Sequence, residues 1–261
     1  MIRSLLLLCA ALFATSAFAQ STALPAKDKF HLFLLVGQSN MAGRGVVEEQ
    51  DKTPHPRVLM LSKEGQWVPA TDPMHFDKPS VGVGLGKTFA QIVAEANPGA
   101  TIGLIPCAVG GSPIDTWMPG VFYPATKSHP WDDMAKRLAL ALPAGTLKGI
   151  LWHQGESDCK PEVAQAYEAK LHDLVKRLRA LVSAPAIPFI AGQMGKFDAV
   201  PWTPEAVIVD QAHQDLAKKV PHTAFVSAEG LKHKGDKIHF DSASFRELGK
   251  RYAAAYLKMV K

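Results

Sequence analysis

The sequence predicts an α/β fold in which helices cover both faces of a mostly parallel sheet. Short apolar runs alternate with amphipathic stretches along the chain, and this alternation is typical of parallel strands joined by helices. Residues 32–36 are apolar at every position, as expected for a strand buried on both faces of its sheet. No Pro/Gly/Ser linker, low-complexity tract or internal repeat divides the chain, so we expect one domain over residues 20–261.

Each element is predicted from the spacing of its apolar residues. Strands are short apolar runs, whereas helices show apolar residues roughly three or four positions apart. Residues 64–83 and 113–130, rich in Pro, Gly, Trp and His, are predicted to be long loops of the kind that often carry function. The predicted strands span 31–36, 57–61, 101–105, 147–152 and 187–191, and the predicted helices span 84–96, 131–142, 161–182, 204–219 and 242–260.

The N-terminus has the pattern of a secretory signal peptide. Arg3 precedes an apolar run at 5–13, and the small-residue sequence Ala17-Phe18-Ala19 follows it. The run is too short for a membrane anchor, which needs about 20 apolar residues. We therefore expect residues 1–19 to be removed by cleavage after Ala19, and the protein to be periplasmic or secreted with no membrane association.

The distribution of positive charge argues against a nucleic-acid partner. The chain has a formal net charge of +5, one charge of which leaves with Arg3, and its Lys and Arg residues form no continuous basic run. We therefore expect no nucleic-acid partner.

Cys107 and Cys159 lie outside the predicted signal peptide. They would pair in an oxidising compartment if their Cα atoms came within about 7 Å, or else remain buried as small apolar residues.

Four polar blocks are the candidate functional segments. Residues 37–45, 108–112 and 153–158 follow predicted strands, and residues 236–241 lie near the C-terminus. In open α/β sheets, ligands bind beyond the carboxyl ends of the strands. We therefore expect at least the first three blocks to meet at one edge of the sheet.

These blocks contain the residue types that an acyl-transfer site needs. The hydroxyl of Ser39 becomes a good nucleophile when an imidazole, here His239, takes its proton, and a carboxylate such as Asp236 fixes the tautomer of that imidazole. Gly110 and Gly111 would let backbone amides approach a developing oxyanion closely.

The blocks GQSNM, WHQGESD and the late D-x-x-H, in this order, resemble the SGNH (GDSL-like) hydrolase superfamily, and specifically its sialate O-acetylesterase and carbohydrate esterase family 6 branch. The resemblance covers about the whole chain after the signal peptide. It implies a three-layer α/β/α sandwich with a flavodoxin-like sheet and hydrolysis of O-acetyl esters on sugars. It also implies that Ser39 is the nucleophile, His239 the general base and Asp236 its orienting acid.

The same resemblance implies an oxyanion hole and a substrate class. The hole would consist of the backbone N–H groups of Ser39 and Gly111 and the side-chain amide of Gln154, a glutamine where most of the superfamily has asparagine. The implied cycle passes through an acetyl-serine and needs no metal or organic cofactor. The implied substrates are acetylated xylan, another acetylated polysaccharide or O-acetyl sialic acid.

Several residues keep more than one interpretation, among them Gln154, which is either an oxyanion donor or a buried structural amide. Gly110 and Arg44 are candidate supporting residues, and Arg44 either contacts substrate or fixes its loop. Glu156 either holds Gln154 or His239 in place, serves as an alternative acid, or caps the next helix. Four loop aromatic residues either stack on a sugar or pack internally: Trp117, Tyr123, His129 and Trp131.

Three alternative functions fit the sequence less well. An esterase of the α/β-hydrolase type needs a G-x-S-x-G elbow, which the sequence does not contain. A P-loop ending at Gly86-Lys87-Thr88 would need glycine where Val81 stands. A glycan-binding module that lost its activity would have at least one broken catalytic position, and none is seen.

Overall fold

A computed structural model describes residues 24–261. The predicted signal peptide, residues 1–19, lies outside this range. Within the range, no helix is both long and apolar enough to cross a membrane.

A seven-stranded sheet forms the centre of the molecule. Its spatial order is β3-β2-β4-β1-β5-β6-β7, and all neighbouring strands are parallel except β2 and β3. Without the edge hairpin β2–β3, the order β4-β1-β5-β6-β7 is flavodoxin-like. The strands are β1 (Phe30–Gly37), β2 (Val58–Leu61), β3 (Trp67–Pro69), β4 (Thr101–Pro106), β5 (Thr146–His153), β6 (Phe189–Gly192) and β7 (Thr223–Val226).

Helices cover both faces of this sheet, which confirms the predicted fold class. α3 and α7 pack on one face, and α4, α5 and α6 pack on the other. The helices are α1 (Ser39–Ala42), α2 (Glu49–Lys52), α3 (Gly86–Ala96), α4 (Pro130–Ala141), α5 (Tyr167–Leu181), α6 (Pro204–Lys219) and α7 (Ser242–Met259).

The first strand shows why an uninterrupted apolar run is needed. Leu32, Leu34 and Val36 pack into the core on the α4–α6 face, whereas Phe33 and Leu35 pack into the core on the α3–α7 face. All five side chains have no solvent exposure. Alternate residues of a strand point to opposite faces, so a strand covered on both sides must be apolar throughout.

The strands that follow β1 in the chain lie on both sides of it in the sheet. The site lies where the direction of strand addition reverses. β4 lies on one side of β1 and β5 on the other. Because parallel crossovers are right-handed, a reversal of direction places the connecting helices on opposite faces and opens a crevice at the carboxyl ends of β1 and β5. Two of the polar blocks follow these two strands.

The predicted elements match the observed ones except where an element is short or irregular. β3, β7, α1 and α2 were not predicted, and each has only three or four residues. The helix predicted to begin at 161 begins at Tyr167, after a 3-10 turn at Ala164–Ala166. β3 interrupts the long loop predicted at 64–83.

Both cysteines of the described range are free thiols. Cys107 is buried and Cys159 is half-buried. The Cys159 thiol donates to the Gly155 carbonyl over 3.3 Å, and burial raises the pKa of each thiol to about 12. They are therefore inert packing residues, the second of the two interpretations left open by the sequence.

The contact between α3 and α7 gives a test of the packing. A Cβ atom added at Gly249 of α7 would lie 2.5 Å from the Leu85 carbonyl oxygen and 3.1 Å from the Phe89 nitrogen. In an exposed helix, Gly→Ala would increase stability by about 1 kcal/mol. Here we expect Gly249→Ala to lower the free energy of unfolding by about 1–3 kcal/mol, because the close contact must open.

Urea denaturation measures this change. Ala254→Gly, at an exposed position of the same helix, is the control and should cost about 1 kcal/mol through helix propensity alone. A gain in stability for Gly249→Ala would contradict the close packing of α3 on α7.

Candidate active site

Ser39 lies at a sharp turn between β1 and α1. Gly37 ends the strand with φ of 133°, and a Cβ atom there would overlap the His153 carbonyl oxygen at 2.1 Å. The Gln38 N–H donates to that same carbonyl over 2.9 Å. Only glycine fits a backbone this close to β5, and the turn makes Ser39 the first residue of α1.

The predicted nucleophile, base and acid form one chain of hydrogen bonds. His239 Nε2 lies 2.9 Å from Ser39 Oγ, and His239 Nδ1 lies 2.7 Å from Asp236 Oδ2. A carboxylate at Nδ1 holds the proton on that nitrogen, which leaves Nε2 free to accept the serine proton. The structure therefore brings together three residues that lie up to 200 positions apart.

Asp236 organises the loop that carries the imidazole. Its Oδ1 atom accepts the N–H groups of Ile238 and His239 over 3.0 and 2.8 Å, while Lys237 takes a left-handed φ of 63°. Partial burial disfavours the charged carboxylate, but the hydrogen bonds from His239 and Ile238 outweigh burial and hold the pKa of Asp236 well below its usual range. Asp236 is therefore ionised at neutral pH.

Burial raises the pKa of a carboxyl group but lowers the pKa of an imidazole, because it disfavours the charged form of each. It lowers the pKa of His239 below the ordinary histidine value; the carboxylate of Asp236 raises it, and the positive charges of Arg44 and Lys234 lower it. The net direction is downward. A neutral imidazole at neutral pH is the form that a general base requires.

Asn40 and Glu156 anchor the loop that carries His239. The Asn40 amide donates to Glu156 Oε1 over 2.6 Å and to the Ile238 carbonyl over 3.1 Å, and its oxygen accepts the Phe240 N–H over 3.4 Å. Glu156 forms no hydrogen bond with His239 or Gln154. Of its three proposed roles, the geometry supports loop support, exerted through Asn40.

The residues after His239 fix the other end of the loop. Phe240 is fully buried and packs edge-on against Phe197 and Phe245. Asp241 then caps α7 by accepting the Ser244 N–H over 2.7 Å. The imidazole is thus carried by a segment anchored both in the core and at a helix start.

Two backbone N–H groups are available near Ser39. In the part of the chain that the structure describes, the N–H groups of Ser39 and Gly111 have no hydrogen-bond partner. Gly111 has a left-handed φ of 80°, and its carbonyl oxygen accepts the hydroxyls of Tyr123 and Ser157, each over 2.8 Å. The peptide on one side of Gly111 is therefore held by two side chains.

A buried ion pair holds the Gly110 side of this turn. Asp77 Oδ2 accepts the Gly110 N–H over 2.7 Å and Arg44 Nη2 over 2.7 Å, and Arg44 also donates to the Gly43 carbonyl over 2.8 Å. Arg44 is 5% exposed. The geometry therefore favours the interpretation in which Arg44 fixes its loop over the one in which it contacts substrate. Asp77 was missed by sequence reasoning, because nothing near it in the sequence indicates a partner 33 positions away.

The geometry favours a buried structural amide over an oxyanion donor as the role of Gln154. Its side chain is fully buried, and its amide donates to the Ser112 carbonyl over 3.1 Å and to the carboxylate of Asp158. The Tyr167 hydroxyl donates to its amide oxygen over 2.7 Å. Both amide hydrogens are therefore used inside the core, which leaves none for an oxyanion.

Of the four loop aromatic residues, two pack internally. Trp117 and Trp131 are 0% and 7% exposed, so both are core residues. Tyr123 and His129 are half-buried, and His129 contacts Phe122, which is 50% exposed and was not predicted.

Within residues 24–261, no group of three or more His, Cys, Asp or Glu side chains is placed to hold a metal ion.

Comparison with known proteins gives a family match. Residues 29–258 match the family model described as carbohydrate esterase, sialic acid-specific acetylesterase. A probable carbohydrate esterase of Arabidopsis thaliana is 34% identical over 251 residues, which are 87% of this chain and 90% of that protein. The X-ray structure of that Arabidopsis protein gives a TM-score of 0.77 at 32% identity, covering 87% of this chain and 98% of that one.

Two more distant structures share the fold. NanS gives a TM-score of 0.74 at 18% identity and covers 91% of this chain and 99% of its own. A carbohydrate acetylesterase of Xanthomonas citri gives a TM-score of 0.64 at 20% identity and covers 86% of this chain and 55% of its own. The superfamily that the motifs resemble is thereby confirmed. The chain belongs to the sialic acid-specific acetylesterase family of carbohydrate esterases and is a carbohydrate O-acetylesterase.

Proposed function

We propose that the protein hydrolyses O-acetyl esters of sugars through an acetyl-Ser39 intermediate. The observation that carries the proposal is the continuous hydrogen-bonded chain from Ser39 through His239 to Asp236. This geometry matches the roles of nucleophile, general base and orienting carboxylate in serine hydrolases.

In the first half of the cycle, His239 Nε2 takes the proton of Ser39 Oγ as the oxygen attacks the acetyl carbonyl. The negative charge that develops on the carbonyl oxygen is held by the N–H groups of Ser39 and Gly111. The carbon–oxygen bond to the sugar then breaks, and the sugar oxygen takes the proton from His239. The products of this half are the deacetylated sugar and acetyl-Ser39.

In the second half, water replaces the sugar. His239 takes a proton from the water, the resulting hydroxide attacks the acetyl carbon, and the bond to Ser39 Oγ breaks. The serine oxygen recovers the proton from His239, and acetate leaves. The ion pair of Arg44 with Asp77 supports both halves, because it holds the turn that presents the Gly111 N–H.

The substrate and the location belong to the same proposal. The family description supports O-acetyl sialic acid as one substrate, and acetylated xylan or another acetylated polysaccharide stands beside it. We infer that residues 1–19 direct export and are removed, so that residues 20–261 form the mature single-domain enzyme.

The nucleophile is tested by Ser39→Ala. Acetate release from an O-acetylated sialic acid, from acetylated xylan and from p-nitrophenyl acetate should fall by about 10⁴-fold or more, because removal of the attacking oxygen leaves only binding and oxyanion effects. The unfolding midpoint should change little, which urea denaturation checks. Substantial activity in this variant would rule out Ser39 as the nucleophile.

The base is tested by the pH dependence of kcat/KM. Since burial lowers the pKa of His239, the imidazole stays neutral to lower pH than an ordinary histidine, and activity should fall in acid with a midpoint below about 6.5. Lys234→Gln removes a positive charge that lowers this pKa, so its midpoint should move upward. A midpoint above 7 in the unchanged enzyme would contradict the geometry.

The role of Gln154 is tested by Gln154→Met. An oxyanion donor would cost about 10²–10³ in kcat when removed. We expect instead a loss of about 1–3 kcal/mol in the free energy of unfolding, because Asp158 and Tyr167 lose buried partners. kcat and urea denaturation, measured on the same preparation, separate the two. A large loss of kcat at unchanged stability would restore Gln154 to the oxyanion hole.

A further inference from the structure

Lys78 lies across the Gly110–Gly111 turn. Its Cδ atom is 3.5 Å from the position that a Cβ atom would take at Gly110, and its Nζ atom is 3.8 Å from the corresponding position at Gly111. Both distances are those of ordinary van der Waals contact, so the Lys78 side chain lies against this turn. The turn that presents the free Gly111 N–H is thus bordered by a positive charge.

This ammonium has no carboxylate partner of its own within residues 24–261. The adjacent carboxylate, Asp77, is already bound by Arg44 and by the Gly110 N–H. Tyr123, whose hydroxyl oxygen lies 3.1 Å from the same Gly111 position, uses its proton on the Gly111 carbonyl. The half-buried Lys78 is therefore available for an anion brought by a ligand.

Exposed lysines add positive charge near His239, although two of the cations there are paired with carboxylates. Besides its partner Asp236, the charged groups that act on His239 are the cations Arg44 and Lys234. The loop that carries the imidazole also exposes Lys232 and Lys237. An anionic substrate would be attracted to this face, whereas a neutral substrate would gain nothing from these charges.

We propose that Lys78 is a specificity-determining residue that pairs with a negatively charged group, such as a carboxylate, on the acetylated sugar. The inference rests on the proposed function: with the acetyl carbonyl at the Gly111 N–H, the attached sugar lies beside the turn that Lys78 crosses. A half-exposed charge acts strongly only in direct contact, because water and salt screen it at longer range. The effect of Lys78 therefore falls on substrates that carry the anion.

The test compares two sugars that differ only in the charged group: an O-acetylated galacturonic acid and the O-acetylated galactose with its acetyl group at the same position. In Lys78→Met, which keeps the stem and removes the charge, the ratio of kcat/KM for the acidic sugar to kcat/KM for the neutral sugar should fall about tenfold or more, mainly through KM. Lys78→Arg should retain most of the ratio.

Lys218→Met is the matched control, since Lys218 is an exposed residue at the C-terminal end of α6, far from Ser39 at the opposite edge of the sheet. Its ratio should equal that of the unchanged enzyme. An unchanged ratio in Lys78→Met would overturn the inference, including the case in which both sugars are affected equally because Lys78 acts on the oxyanion. If neither sugar releases acetate through Ser39, the proposed function fails and this inference fails with it.

Discussion

The hydrogen bond between Ser39 Oγ and His239 Nε2 joins the first strand of the sheet to the segment before its last helix. Its length of 2.9 Å depends on two anchored backbones. On one side, Gly37 lets β1 turn against the His153 carbonyl and begin α1 at the serine. On the other side, Phe240 in the core and the Asp241 cap of α7 hold the imidazole loop.

Three groups of hydrogen-bonded polar residues surround this contact, and each fixes a different segment. Asn40 and Glu156 fix the histidine loop. Arg44 and Asp77 fix the glycine turn beside the serine. Gln154 belongs to a network inside the core, and the burial that satisfies its amide also keeps it from the ester. Each buried polar group needs a partner, so these three groups also stabilise the fold around the site.

The sequence predicted the long elements, because apolar periodicity is a local signal, and its motifs singled out the three side chains that the fold joins by hydrogen bonds. It missed β7, whose residues are mostly half-buried and whose apolar run, Ala224 to Val226, is only three residues long. Asp77 was missed because its partners lie elsewhere in the chain. The direction of the Gln154 side chain was not predictable, because a motif gives only its position, whereas its direction depends on Asp158 and Tyr167.

The proposed mechanism depends on the transfer of the acetyl group through Ser39. The most direct measurement is mass spectrometry of the intact enzyme, quenched in acid within milliseconds of mixing with p-nitrophenyl acetate, followed by peptide mapping. We expect a transient mass increase of one acetyl group, located on the peptide that contains Ser39, with a burst of p-nitrophenol of matching size. An acetyl group located on another residue would contradict an acetyl-Ser39 intermediate.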